Sequence, residues 1–93
     1  MEAKLQCIHC GDTYVQMVFV RAWARTHEDA PSGLFVSCSL YHASLRTSTK
    51  LDGNPSDRRD GAALILRCES CGEHTAVTFA NHKGETFMET KPS

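Results

Sequence analysis

The sequence predicts a mostly β domain, a small antiparallel sheet whose two ends are drawn together by paired cysteines. Three observations predict it. Runs of β-branched and aromatic residues alternate with clusters of Gly, Pro, Asp and Asn. No stretch holds a 3.6-residue apolar period over three turns, and a Cys-x-x-Cys-Gly step stands near each end of the chain. Ninety-three residues, 41% of them hydrophobic, fit a single domain over residues 1–93 with a modest core.

A strand is expected ahead of the first cysteine step. Residues 12–25, dominated by Thr13, Tyr14, Val15, Val18, Phe19, Val20 and Trp23, then read as one long strand. Their apolar residues fall on both alternating sets, so this strand is either buried on both faces or interrupted by a bulge. Asp29, Pro31, Ser32 and Gly33 end it with a turn, and residues 35–41 suit a partner strand. Residues 46–60 lose almost all apolar content and read as a loop. Residues 62–67 lead into the second cysteine step, and 75–80 lead out of it with Val77 and Phe79 on one face. Residues 81–84 can turn the chain, and 85–90 return with Phe87 as apolar anchor.

The two steps, Cys7-Ile8-His9-Cys10-Gly11 and Cys68-Glu69-Ser70-Cys71-Gly72, carry the chemistry. A tight turn can point both sulfurs of a Cys-x-x-Cys at one ion, and two such turns complete a tetrahedral shell with no position left for substrate. Cys7, Cys10, Cys68 and Cys71 are the expected metal ligands. Gly11 and Gly72 can take positive φ, which lets the backbone fold back and aim N–H groups at the sulfurs. Zn²⁺ is the expected ion, with iron as the minor alternative on ligand type. Structural zinc binds small finger peptides with about 10 to 16 kcal/mol, against about 5 to 15 kcal/mol for the stability of a whole domain, so folding and metal binding are expected to be coupled. Two independent redox dithiols fit less well, because the βαβ pattern that accompanies them is missing. His9 and His74 lie in or beside the steps, but four cysteines already complete the shell. Each step continues as Cys-x-x-Cys-Gly-acid (Asp12, Glu73) into a β-rich segment, a weak local repeat.

At this point the chain resembles the zinc-ribbon proteins, in which two cysteine knuckles at the ends of β-hairpins clamp one zinc. The resemblance implies Cys7, Cys10, Cys68 and Cys71 as ligands and Gly11 and Gly72 as turn glycines. The departure lies in the 57 residues, 11–67, between the knuckles, where a compact ribbon has roughly 15 to 20. That interior assigns itself to no subfamily. Nucleic-acid binding, a common use of zinc ribbons, is implied by resemblance alone.

Charge argues against a general pull toward nucleic acid. The formal net charge is −1, and four thiolates with one Zn²⁺ would bring the loaded domain to −1 − 4 + 2 = −3. The segment before Cys7 has no room for a secretion signal, and the most apolar stretch, residues 14–24, is interrupted by Gln16 and Arg21 and is too short to span a bilayer. A cytoplasmic protein with reduced thiols is expected, and five cysteines is an odd number for a disulfide framework. The fifth, Cys38, reads as a core residue rather than a nucleophile. The stretch 52–57 fails as a calcium loop, since Asp57 stands where that motif needs glycine. Arg21, Arg25, Arg46, Lys50, Arg58 and Arg59 gather near Trp23 and Tyr41, but Glu28, Asp29, Asp52, Asp57 and Asp60 lie among them. Ordinary surface charge over core aromatics is the expectation. No Ser/His/Asp order, phosphate loop or open metal site points to an enzyme. The expected function is therefore a non-enzymatic, zinc-stabilised interaction module for a protein partner or for self-association through exposed strand edges. Nucleic-acid binding is the alternative.

Overall fold

The computed structural model describes residues 3–93 and contains one six-stranded antiparallel sheet. The strands are β1 (Val15–Arg25), β2 (Gly33–Ser39), β3 (Ser44–Ser48), β4 (Gly61–Cys68), β5 (His74–His82) and β6 (Glu85–Pro92), in the spatial order β3-β2-β1-β4-β5-β6. Every neighbouring pair is antiparallel, and four of the five pairs join sequence-adjacent strands; the exception is the central pair, β1 with β4. The mostly β expectation holds: no helix occurs among the described residues.

The alternation of apolar residues on both sets in β1 is resolved by a bulge. Register with β4 shifts between Met17 and Phe19, so Val18 is the extra residue. Val18 is buried at 9% exposure in the core cluster with Trp23, Ala63, Ile65 and Ala76, and its carbonyl accepts the Leu40 N–H at 3.0 Å. The bulge thus lets one strand serve both faces without a register conflict.

Cross-strand register assigns those faces. One carries the row Arg46, Ser37, Arg21, Ala63, Thr78, Glu89 and the rows on either side of it, including Phe35–Trp23–Gly61 and Phe19–Ile65–Ala76–Lys91. The 49–60 segment lies over this side. Trp23 Nε1–H donates to the Asp52 carbonyl at 3.0 Å, and Phe35 packs on the indole with ring centroids 5.2 Å apart. A Cβ on Gly61 would stand 2.2 Å from Asn54 Oδ1, so the absence of a side chain there lets the segment dock on β4. The opposite face carries the full rows Leu45–Cys38–Val20–Leu64–Val77–Thr90 and Thr47–Val36–Ala22–Ala62–Phe79–Met88. No Lys, Arg, Asp or Glu stands in either row. We call the two the loop face and the neutral face.

Four expectations need correction. No strand precedes the first knuckle among the described residues. Residues 44–48, read in large part as loop, form edge strand β3, because β2 offers five backbone partners to a chain too polar to show a strand pattern. The rest of that loop is ordered by its own polar groups. Arg25 donates to the carbonyls of Arg59, Ala30, Ser56 and Asp57, its N–H donates to Asp60 Oδ1 at 2.8 Å, and Ser56 Oγ donates to Asn81 O at 2.9 Å. Phe87 is no anchor: it is 52% exposed on edge strand β6, which is exposed along its whole length. Cys38 is half-buried on the neutral face instead of in the core.

The burial of Trp23 at 5% exposure, against 81% for Tyr41, gives a direct test. Trp23→Ala is expected to cost about 3 to 5 kcal/mol of unfolding free energy in the metal-loaded protein, and Tyr41→Ala about 0.5 kcal/mol or less. Urea denaturation followed by circular dichroism measures both, and equal losses would show that the indole does not anchor the loop face.

Candidate metal centre

Each knuckle is built by the same two backbone hydrogen bonds. In the first, Gly11 N–H donates to Cys7 O at 2.8 Å and Cys7 N–H to Asp12 O at 2.8 Å. In the second, Gly72 N–H donates to Cys68 O at 2.9 Å and Cys68 N–H to Glu73 O at 3.0 Å. Gly11 (φ +81°) and Gly72 (φ +75°) occupy the left-handed region, where a side chain would be strained. The repeat in the sequence is therefore a repeat of backbone geometry. The second knuckle joins β4 to β5, as a ribbon hairpin would, whereas the first leads only into β1.

The sheet brings the knuckles together. Cys68 ends β4 directly opposite Val15 at the start of β1, and Glu69 N–H donates to Tyr14 O at 2.9 Å. Asp12 spans the gap. Its carboxylate accepts the Tyr14 N–H at 3.0 Å and the hydroxyl of Ser70 from the other knuckle. His9 Nε2 lies 3.1 Å from the His74 carbonyl, so this imidazole also ties one knuckle to the other, and both histidines are exposed. Asp12, Ser70 and the His9–His74 contact escape a search for ligand spacing, because they hold the turns rather than the ion. The one sequence signal for Asp12 is the acid that follows the glycine in each step.

The four sulfurs of Cys7, Cys10, Cys68 and Cys71 all lie within 4.8 Å of one another. Cys7 and Cys71 sulfurs are 3.6 Å apart, and Cys10 and Cys68 sulfurs 3.5 Å apart. A tetrahedral shell with metal–sulfur bonds of about 2.3 Å requires sulfurs about 3.8 Å apart. A disulfide requires about 2.05 Å. The set fits one thiophilic ion, and all five cysteines are free thiols. Cys7 and Cys68 are buried, at 3% and 1% exposure, while Cys10 and Cys71 face outward. The four-sulfur cluster is consistent with a zinc-ribbon-like site, and zinc and iron share its geometry. Cys38 stands outside it.

Compared with protein-family models, curated proteins and solved structures, the chain matches none of them. Its chemistry is therefore argued from the sulfurs themselves. Burial opposes the Cys7 thiolate, but the backbone N–H groups of Cys10 and His9, and then the thiols of Cys71 and Cys68, stabilise it and bring Cys7 down to about 6. The Asp12 N–H favours the Cys10 thiolate, yet the Cys68 thiol, burial and the remaining cysteines outweigh it and push Cys10 up to about 12. Cys71 is also raised: the Glu73 N–H opposes the rise, and burial with Cys68 and Cys7 prevails. Without a cation the cluster admits one thiolate readily and resists the next. A bound divalent ion reverses that resistance.

Two outcomes follow from this geometry. Because Cys10 and Cys71 keep their protons near neutral pH, loading Zn²⁺ must expel at least two protons, so the apparent zinc affinity is expected to fall about 100-fold per pH unit on acidification below neutrality. Competition with a chromophoric chelator across pH measures the slope; a pH-independent affinity would contradict the thiol assignment. Replacing Cys10 or Cys71 by Ser should weaken zinc by more than the roughly 10- to 100-fold that loss of an outer partner costs, and unfold the domain. Metal content by mass spectrometry and circular dichroism report this, and a folded metal-free variant would refute structural coupling.

Proposed function

We propose that the protein is a zinc-clamped β module with no enzymatic activity of its own, which presents its sheet to protein, in the first instance to a second copy of itself. The closed four-sulfur clamp supports the first half of this reading. A shell filled by four thiolates leaves no coordination position where a substrate could bind, so its return is stability.

The neutral face supports the second half. Met17, Val20, Leu34, Leu45 and Met88 stand 56%, 42%, 50%, 64% and 66% exposed on the same side of the sheet. Exposed apolar side chains gathered on one face are costly to leave in water, and patches of them mark protein interfaces. A face without formal charge offers nothing for a charged partner to read, and it suits a copy of itself, since no like charges meet across the contact. At a strand spacing of about 4.8 Å and a rise of about 3.3 Å per residue, six strands of about seven residues span close to 650 Å², an upper bound on what the face presents, since Leu66 and Val77 within it are buried. Two copies would bury up to about 1,300 Å², which reaches the range of specific interfaces.

Val20 lies at the centre of that face, between Cys38 and Leu64. The metal-loaded protein is expected to sediment as a dimer at high concentration, and Val20→Glu as a monomer with unchanged zinc content. A monomer at every concentration tested would remove the second-copy reading while leaving the zinc reading intact.

A further inference from the structure

The loop face holds a feature that neither the clamp nor the neutral face uses. It curls into a cleft of about 490 Å³ to which both edge strands contribute, Arg46 from β3 and Lys91 from β6. Arg21 of β1 lies between them. Ala63, Ile65, Ala76 and Thr78 of the central strands β4 and β5 line the cleft between those edges. Asp52 is the one acidic side chain that borders the cleft, which Pro92 and Ser93 also line, so its side chains carry 3 − 1 = +2. Glu89 ends the Arg46–Arg21 row at the far edge and does not line the cleft; it borders an adjoining depression that it shares with Lys91.

The three cations differ from the other arginines of the chain. Arg58 and Arg59 are paired with Glu28 and Asp29, Arg67 with Glu69, and Arg25 is spent on backbone carbonyls. Among the described residues no carboxylate lies within salt-bridge distance of Arg21, Arg46 or Lys91. Arg21 is steadied by the Phe19 ring, 4.9 Å from its guanidinium carbon to the ring centroid, so this fork is held in place without being neutralised. A second charged recess, bordered by Arg25, Glu28, Arg59, Asp60 and Glu85, is by contrast internally compensated.

We propose that this cleft binds an extended acidic segment of a partner protein, its carboxylates seated on Arg21, Arg46 and Lys91. The two arginines sit two strands apart, about 9.6 Å between backbones, and alternate side chains of an extended peptide, about 6.7 Å apart, come within reach of both forks. Single-stranded nucleic acid would also meet the cations, but it needs open aromatic faces for its bases. Trp23 is buried, its N–H is taken by Asp52 O, and Phe35 packs against it, so the cleft offers charge without a stacking platform. This site is independent of self-pairing, which uses the opposite face.

The test titrates the metal-loaded full chain into three labelled probes of equal length: a peptide of alternating glutamate and threonine, its lysine–threonine counterpart, and oligothymidylate. Fluorescence anisotropy should show binding of the acidic peptide that weakens with salt. Arg21→Gln and Arg46→Gln should each weaken it about tenfold, the worth of one charge-assisted contact, with zinc content unchanged. Arg46 is exposed, so its variant carries the test should loss of Arg21 disturb packing on Phe19. The proposal is overturned if the acidic peptide does not bind, if Arg46→Gln binds it as well as the parent, or if oligothymidylate binds more tightly. Loss of zinc from the parent protein would instead overturn the clamp.

Discussion

The convergence of four sulfurs at one end of the sheet is the constraint on which the rest of the structure depends. Cys7 meets Cys71 and Cys10 meets Cys68 across 64 and 58 residues of chain. The central pairing of the sheet, β1 with β4, is equally non-local, and such pairings carry their loop-closure entropy before any contact repays it. One ion held by both knuckles would fix the start of β1 against the end of β4, at the Val15–Cys68 register position, from which the ladder runs on. The flanking strands then add by short connections, β2 and β3 on one side, β5 and β6 on the other. Such an ion would act on topology as well as on stability, since it would select which two strands are neighbours.

A single sheet of this size has two faces to satisfy and material for only one cover. The 49–60 segment, pinned by Trp23, Arg25 and Ser56, covers part of the loop face, and no second layer of secondary structure remains for the other. The charge distribution follows this division. Arg21, Arg46, Glu89 and Lys91 all register on the loop face, while the neutral-face rows alternate only apolar side chains, threonine and Cys38. Alternation with a period of two is normally read as one face inward and one face to water. Here the charged set lines a cleft and the uncharged set is the more uniformly apolar, so the usual link between polarity and outwardness is weakened on both sides.

The parts legible in the sequence are those where a residue type has one physical use. Paired cysteines followed by glycine could be read at once, because sulfur geometry and positive φ leave few alternatives, and the structure brings Cys7, Cys10, Cys68 and Cys71 within one coordination shell. The double alternation in β1 left two readings, burial on both faces or a bulge, and the register shift at Val18 decides for the bulge. What escaped was decided by partners rather than by local pattern. β3 is Ser-Leu-Arg-Thr-Ser, which carries no strand signal of its own and is a strand because β2 has an open edge. Phe87 looked like an anchor because aromatic residues are usually covered, yet β6 is the last strand and nothing lies beyond it. The order in the 49–60 segment comes from side chains on carbonyls and could not be inferred from its composition.

The cleft shows most clearly how clamp and bulge act together. A classic bulge adds local twist, and Val18 adds it to the one strand that pairs with both halves of the sheet, two strands from either the β3 or the β5 side. Rotation introduced there moves the β2–β3 flank relative to the β4–β5–β6 flank. Ala63, Ile65 and Ala76 of β4 and β5 line the space between the two flanks. Arg46 and Lys91, at opposite edges of the sheet and 45 positions apart in the chain (91 − 46), come to border one space as a result. That placement uses no feature of the metal ligands beyond their fixing of the β1–β4 register. A clamp on the four sulfurs would set which strands are neighbours, the bulge adds twist between the two flanks, and the charged cleft lies where residues of both flanks meet.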